Sequence, residues 1–177
     1  MDVPINFQGN YHHIEISEGA CLQIAQGVTM RSFTSLEVFM GAILSIEEGV
    51  FFNDHCSIRC TEKITIGRDT MFGDGVRIFD SNHKFNNYHV FKTAMSSAPI
   101  HIGRDCWIGA NTVILRGVTI GDNVVIGANC LIYQDIPSNS IVTHSEQLKI
   151  TSKNIAKFHA FVYTCLLYTS DAADDMQ

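Results

Sequence analysis

Charged residues make up only 17% of this chain, and no run of Lys or Arg interrupts it. At a formal net charge of −6 it carries no general field for attracting nucleic acid, so no nucleic-acid partner is expected. A basic start followed by an apolar stretch is missing from the N-terminal residues, which argues against a signal peptide. Nothing approaches the roughly 20 consecutive apolar residues that a bilayer span requires. No integral membrane segment is therefore expected, and the expected location is cytoplasmic. What the chain does have is 46% apolar residues over 177 positions, enough for one domain with a sizeable core and too many for disorder.

Neither a helical period nor strict alternation organises those apolar residues. They recur every six positions instead: Ile102, Ile108, Ile114, Ile120, Ile126 and Ile132, with Gly following at Gly103, Gly109, Gly121 and Gly127. Four places after each aliphatic stands Cys106, Thr112, Val118, Val124, Cys130 or Ile136, nearly all small or β-branched. A second run covers Ile66, Phe72 and Ile78. Upstream the same spacing links Leu22, Val28, Thr34, Met40, Ile46, Phe52, Ile58 and Ile64, and a two-residue slip between Ile64 and Ile66 joins the registers. A hexad period predicts a prism-shaped parallel coil. Each hexad supplies a short strand and a corner, three hexads close a turn, and the aliphatic stacks inward on its equivalents above and below. Roughly six turns are expected between about Ile14 and Val142. Three of the six cysteines, Cys56, Cys106 and Cys130, fall at the small inward place of a hexad and read as reduced core thiols rather than a disulfide framework.

The repeat resembles that of the hexapeptide-repeat acyltransferases over about residues 10–145. The likeness is strongest in IHIGRDCWIGANTVILRGVTIGDNVVIGANCLIYQDIPSNSIV, from Ile100 to Val142. Within that family the chain is most similar to the galactoside/maltose acetyltransferase-like and capsular polysaccharide O-acetyltransferase branch. The resemblance implies an all-β fold, a left-handed parallel β-helix, where the usual crossover rule would predict the other hand. It also implies acetyl-CoA as acyl donor, a sugar or glycan acceptor, and a homotrimer with sites between subunits.

The rhythm stops after Ile78 and resumes at Ile100, which predicts an extruded loop over about 80–99. Loops on rigid scaffolds commonly carry function. Acetyl transfer to a hydroxyl needs a base, oxyanion donors and a held thioester. At the loop's start His83 stands in a D-x-x-H-x-F context, where the resemblance implies the catalytic histidine. Asp80 either orients the His83 ring or serves as a turn residue satisfying backbone, and the sequence leaves both open. Asn82 and Asn87 are candidate contacts to a sugar. His89, deeper in the loop, is the rival base, whereas His55 and His101 read as solvent-facing corner residues.

Trp107, the only tryptophan, occupies an outward place of its hexad, and the resemblance implies that it lines the donor's path. Ala110, Arg116, Gly127 and Ala128 are the other positions where the resemblance runs the pantetheine arm along the outer wall or corners. Arg116, at a place where many family members have proline, offers a charge for the donor's phosphates or for solvent. No metal is expected.

Four other functions compete with O-acetylation. An N-acyltransferase acting on an amino sugar would use the same histidine. Serine acetyltransferase is disfavoured because the long helical N-terminal region of that branch is missing. A zinc enzyme resembling the γ-class carbonic anhydrases needs three converging histidines, and no convincing third partner joins His83 and His89. A non-catalytic coil would bind no coenzyme A. By domain, 1–150 is read as the coil, Thr151–Tyr163 as a short helix covering its end, and 164–177 as a non-native or disordered tail.

Overall fold

Inward side chains recur at every second residue within a strand and at every sixth between strands, and that double rhythm winds the chain into a triangular coil. The computed structural model describes residues 5–144 and 149–152. Three parallel sheets form the walls. The first stacks Ile5–Phe7, Val28–Met30, Phe51–Phe52, Met71–Phe72, Trp107–Ile108, Val125–Ile126 and Ser140–Thr143. In the second lie His13–Ile16, Ser35–Val38, Ser57–Cys60, Arg77–Phe79, Val113–Leu115 and Leu131–Ile132. The third holds Cys21–Ile24, Ile43–Ile46, Lys63–Ile66, Ile100–Ile102 and Thr119–Ile120. The result is a left-handed parallel β-helix of about six turns. Its first strand, Ile5–Phe7, pairs in register with Val28–Met30, so the coil begins earlier than the expected Ile14.

Vertical stacks of identical or similar side chains fill the prism. One runs Leu36, Ile58, Ile78, Ile114, Ile132. A second runs Ile46, Ile66, Ile102, Ile120, Ile136. All of these are buried, and each contributes about 2 kcal/mol relative to exposure. Phe52 and Phe72 stack with ring centroids 4.8 Å apart. Cys56, Cys60, Cys106 and Cys130 are buried free thiols. Burial pushes Cys56 and Cys60 up to about 12 and also raises Cys106 and Cys130.

The three edges of the prism are not equivalent. From the first sheet to the second, the steps Met30–Leu36, Phe52–Ile58, Phe72–Ile78, Ile108–Ile114 and Ile126–Ile132 are each six residues. From the third sheet to the first they are six as well, as in Ile46–Phe52 and Ile102–Ile108. Between the second and third sheets the step shortens from ten residues (Leu36–Ile46) through eight (Ile58–Ile66) to six (Ile114–Ile120) and four (Ile132–Ile136). The loop leaves at this same edge, between Ile78 and Ile102. Its variable length overturns one expectation. Met40, predicted to point inward on a strict hexad, is 75% exposed, because the chain has spare residues at that corner.

The ejected loop is itself ordered as a β-hairpin, Ser81–Phe85 against Val90–Ser97. Among the described residues there is no helix, and none is therefore long and apolar enough to cross a membrane. Thr151 and Ser152, expected to start a helix, lie in the strand Lys149–Ser152, antiparallel to Ser140–Thr143. The rest of that expected helix, and the tail at 164–177, lie outside the described residues. His101 sits within the strand Ile100–Ile102 rather than at a corner, exposed, with Nδ1 2.6 Å from the Thr65 hydroxyl.

Candidate active site

The hairpin is clamped at its root by Asp80. This carboxylate is fully buried and accepts hydrogen bonds from the backbone N–H groups of Thr61 (2.7 Å), Glu62 (2.8 Å) and Lys63 (3.0 Å). Those three donors come from the corner one turn earlier on the same edge and from Lys63, the first residue of the strand that follows it. A buried carboxylate is stable only when so satisfied. The Asp80 carbonyl accepts from the Ala98 N–H at 2.9 Å, closing the hairpin's neck, and the hydroxyls of Thr61 and Ser81 meet at 2.8 Å. Of the two readings left open for Asp80, the structure shows backbone satisfaction, at a neighbouring turn rather than its own. The ring of His83 has another partner.

That partner is the carbonyl of Phe91, 3.2 Å from Nδ1. A carbonyl only accepts, so Nδ1 carries a hydrogen, and in the neutral ring Nε2 holds the lone pair. The pairing is broken by an irregularity between His83 and Phe85, a device that re-aims a side chain out of the ladder. His83 is exposed and borders a groove of about 230 Å³ with Asn82, Ser81, Phe79, Met95 and Arg59. Asn82 lines the same groove as His83. Asn87 does not: it lies at the hairpin's tip, beside the turn in which Asn86 Oδ1 accepts from the N–H groups of Tyr88 and His89. His89 shares that distant tip.

A second cluster lies on the edge between the first and second sheets. Trp107, 48% exposed, stands between Met71 and Val125 on the first sheet. Ala110 and Ala128 occupy equivalent corners of successive turns, with the Asn129 N–H donating to the Ala110 carbonyl at 2.8 Å. A Cβ on Gly109 would lie 2.5 Å from the Ala128 nitrogen, so glycine is what lets these turns close up. Beyond Gly127 the nearest atom to such a Cβ is 3.4 Å away. The edge offers a rail with no side chain longer than a methyl at Ala110, Gly127 and Ala128, which suits a slender arm lying against backbone. Arg116 is not on this rail. It is exposed on the hairpin edge, next to Gly117, whose N–H donates to the Ala98 carbonyl at 3.1 Å.

Within one chain, then, the structure gathers Trp107, Ala110, Gly127 and Ala128 at one edge and His83 with Asn82 at another. Sequence reasoning missed Arg59, Phe79 and Met95. Arg59 and Phe79 face the groove only because strands one turn apart bring them into register. Among the described residues no three His, Cys, Asp or Glu side chains gather as metal ligands would.

Residues 99–134 match the bacterial transferase hexapeptide (six repeats) model, over the part of the coil where the hexad spacing is most regular. The chain is 32% identical over 116 residues to WbbJ of Escherichia coli K12, named for O-acetyl transfer in lipopolysaccharide biosynthesis, covering 60% of this chain and 59% of that protein. It is 35% identical over 101 residues to the galactoside O-acetyltransferase of the same organism, covering 57% and 50%. The chain thus spans little more than half the length of these curated relatives. Its fold is similar to that of the hexapeptide-repeat acetyltransferase VCA0836 of Vibrio cholerae, solved with acetyl coenzyme A, at a TM-score of 0.57 and 24% identity over 85% of this chain and 73% of that one.

Proposed function

We propose that the protein transfers acetyl from acetyl-CoA to a sugar hydroxyl, in bacterial surface-polysaccharide synthesis, with His83 as general base. The observation that carries this is the bond between His83 Nδ1 and the Phe91 carbonyl, which in the neutral ring assigns the lone pair to Nε2, on a histidine that borders an open groove. A hydroxyl seated in the groove loses its proton to Nε2 as its oxygen attacks the thioester carbon. The C–S bond then breaks, and the imidazolium returns the proton to the departing thiolate. Asn82 supplies an amide to the acceptor or to the oxyanion. Asp80 acts as a positioning residue, fixing the hairpin from which the base projects; Asn87 at the tip would reach an acceptor only if that acceptor is long. The relatives named for O-acetyl transfer support the reaction class.

The donor's arm lies along the rail of Ala110, Gly127 and Ala128, flanked by Trp107. Because rail and base occupy different edges of one chain, the reading includes a homotrimer in which the hairpin of one copy meets the rail of the next. Phe85, Tyr88, Val90 and Phe91, all exposed on the hairpin, support a second copy covering them. Arg116 reaches the donor's phosphates in the same way, from a neighbouring copy. The location in this reading is the cytoplasm, where acetyl-CoA is made available.

A thiol-release assay with acetyl-CoA and a panel of neutral, acidic and amino sugars tests this. His83→Ala is expected to lower kcat by at least about 100-fold, with KM for acetyl-CoA little changed. Turnover within about threefold of wild type would remove His83 as the base, and a preference for amino sugars would move the acceptor atom from oxygen to nitrogen.

A further inference from the structure

We infer that Arg59 makes the groove beside His83 selective for acidic sugars, by pairing with a carboxylate on the acceptor. The inference rests on the groove's being the acceptor site. Arg59 is the one permanent cation among the groove's six lining residues, and no acid lines it. The nearest acid along the chain, Asp80, is turned inward and consumed by three backbone N–H donors, so it presents no oxygen to the groove. From Ser81 to Ile102 the sequence contains no Asp or Glu, while Lys84 and Lys92 flank the hairpin's turn. The hairpin is thus a basic insert in a chain of net charge −6.

Register explains how Arg59 is held. In the second sheet it stands between Glu37 on the turn before and Phe79 on the turn after. Glu37 takes one guanidinium nitrogen at 2.9 Å, from the side away from Phe79, which lines the groove. A guanidinium has five N–H donors in a fixed fork, so a single tether orients the group without exhausting it. With its side chain 54% exposed, Arg59 keeps donors available for the bidentate geometry that carboxylates favour. A neutral sugar would still find Asn82, Ser81 and the apolar surfaces of Phe79 and Met95, but nothing in the groove would reward its lacking a charge.

Galactose and galacturonate, which differ only at C6, form the matched pair for the test. Both kcat/KM by thiol release and binding by ligand-observed NMR are measured on the full chain. Wild type is expected to favour galacturonate about tenfold in both readouts, a preference that shrinks as salt is raised from about 0.05 to 0.3 M. Arg59→Gln should erase the preference by lowering galacturonate about tenfold more than galactose, and Arg59→Lys should restore part of it. Equal handling of the two sugars by wild type, or an equal loss for both in Arg59→Gln, overturns the inference, as does failure of galacturonate to bind. Arg59-dependent binding of galacturonate without thiol release from any acceptor would instead sink the acetyltransferase reading and leave the inference standing.

Discussion

Two edges of the same prism divide the labour of this molecule. Between the first and second sheets the chain spends six residues at each of the five steps traced above, and at the last two corners small residues stack into a rail. Between the second and third sheets the step varies from ten residues to four, and there the hairpin leaves the coil carrying His83. At its last two corners, Gly109–Ala110 and Gly127–Ala128, the uniform edge leaves backbone accessible, which suits a thin ligand, whereas its earlier corners carry the stacked rings of Tyr11, Phe33 and His55. An irregular edge can absorb an insertion without disturbing the stacks on either side, because neighbouring turns already differ there. The placement of the hairpin follows from that tolerance: at the other two edges, close-packed glycines such as Gly67, Gly103 and Gly109 leave no room for even a Cβ.

The contrast is broken most severely at the hairpin's root. Asp80→Ala leaves three part-buried backbone donors without their acceptor and is expected to cost about 3 kcal/mol, read as a lower urea midpoint. Asp80→Asn, which keeps one accepting oxygen, should cost clearly less. Asp122, at the edge between the third and first sheets, accepts from the backbone N–H and Nε of Arg104 but is exposed, so Asp122→Ala should have a small fraction of that effect. If the two alanine variants are equally stable, the root is not the clamp described. On the uniform edge, Trp107→Ala should leave stability within about 1 kcal/mol and raise KM for acetyl-CoA about tenfold, with kcat less affected. An unchanged KM would detach the indole from the donor path. The smallest effect concerns the core common to all edges. Thiols pushed up to about 12 at Cys56 and Cys60 are almost wholly protonated at pH 8, so these and the buried Cys106 and Cys130 should react with Ellman's reagent only on unfolding. Rapid labelling of any of the four in the native protein would show that the prism opens.

The sequence was most readable where the edges take six residues. From Ile102 onward the aliphatic at each sixth place is buried as expected, Ile108, Ile114, Ile120, Ile126 and Ile132 alike. Upstream the same count misplaces Met40, since spare residues at one corner shift the register without changing the hydrophobic composition. The position of the loop and of His83 within it was legible because the rhythm breaks there. Its folding as a hairpin was not, because an exposed two-stranded ribbon has no buried face to impose alternation. The partners of Asp80 lie 17 to 19 residues away and donate from the backbone, which no side-chain pattern reports. Arg59 was hidden for the same kind of reason: only the length of one particular turn places it in line with Phe79.

The account depends most on which nitrogen of one imidazole is free. Long-range ¹H–¹⁵N correlation spectra of the protein, with His83 assigned by comparison with His83→Gln, report the tautomer directly above neutral pH. The hydrogen is predicted on Nδ1, held by the Phe91 carbonyl, with Nε2 showing the shift of an unprotonated nitrogen. A ring protonated on Nε2 in its neutral form would contradict the assignment of His83 as a base facing the groove.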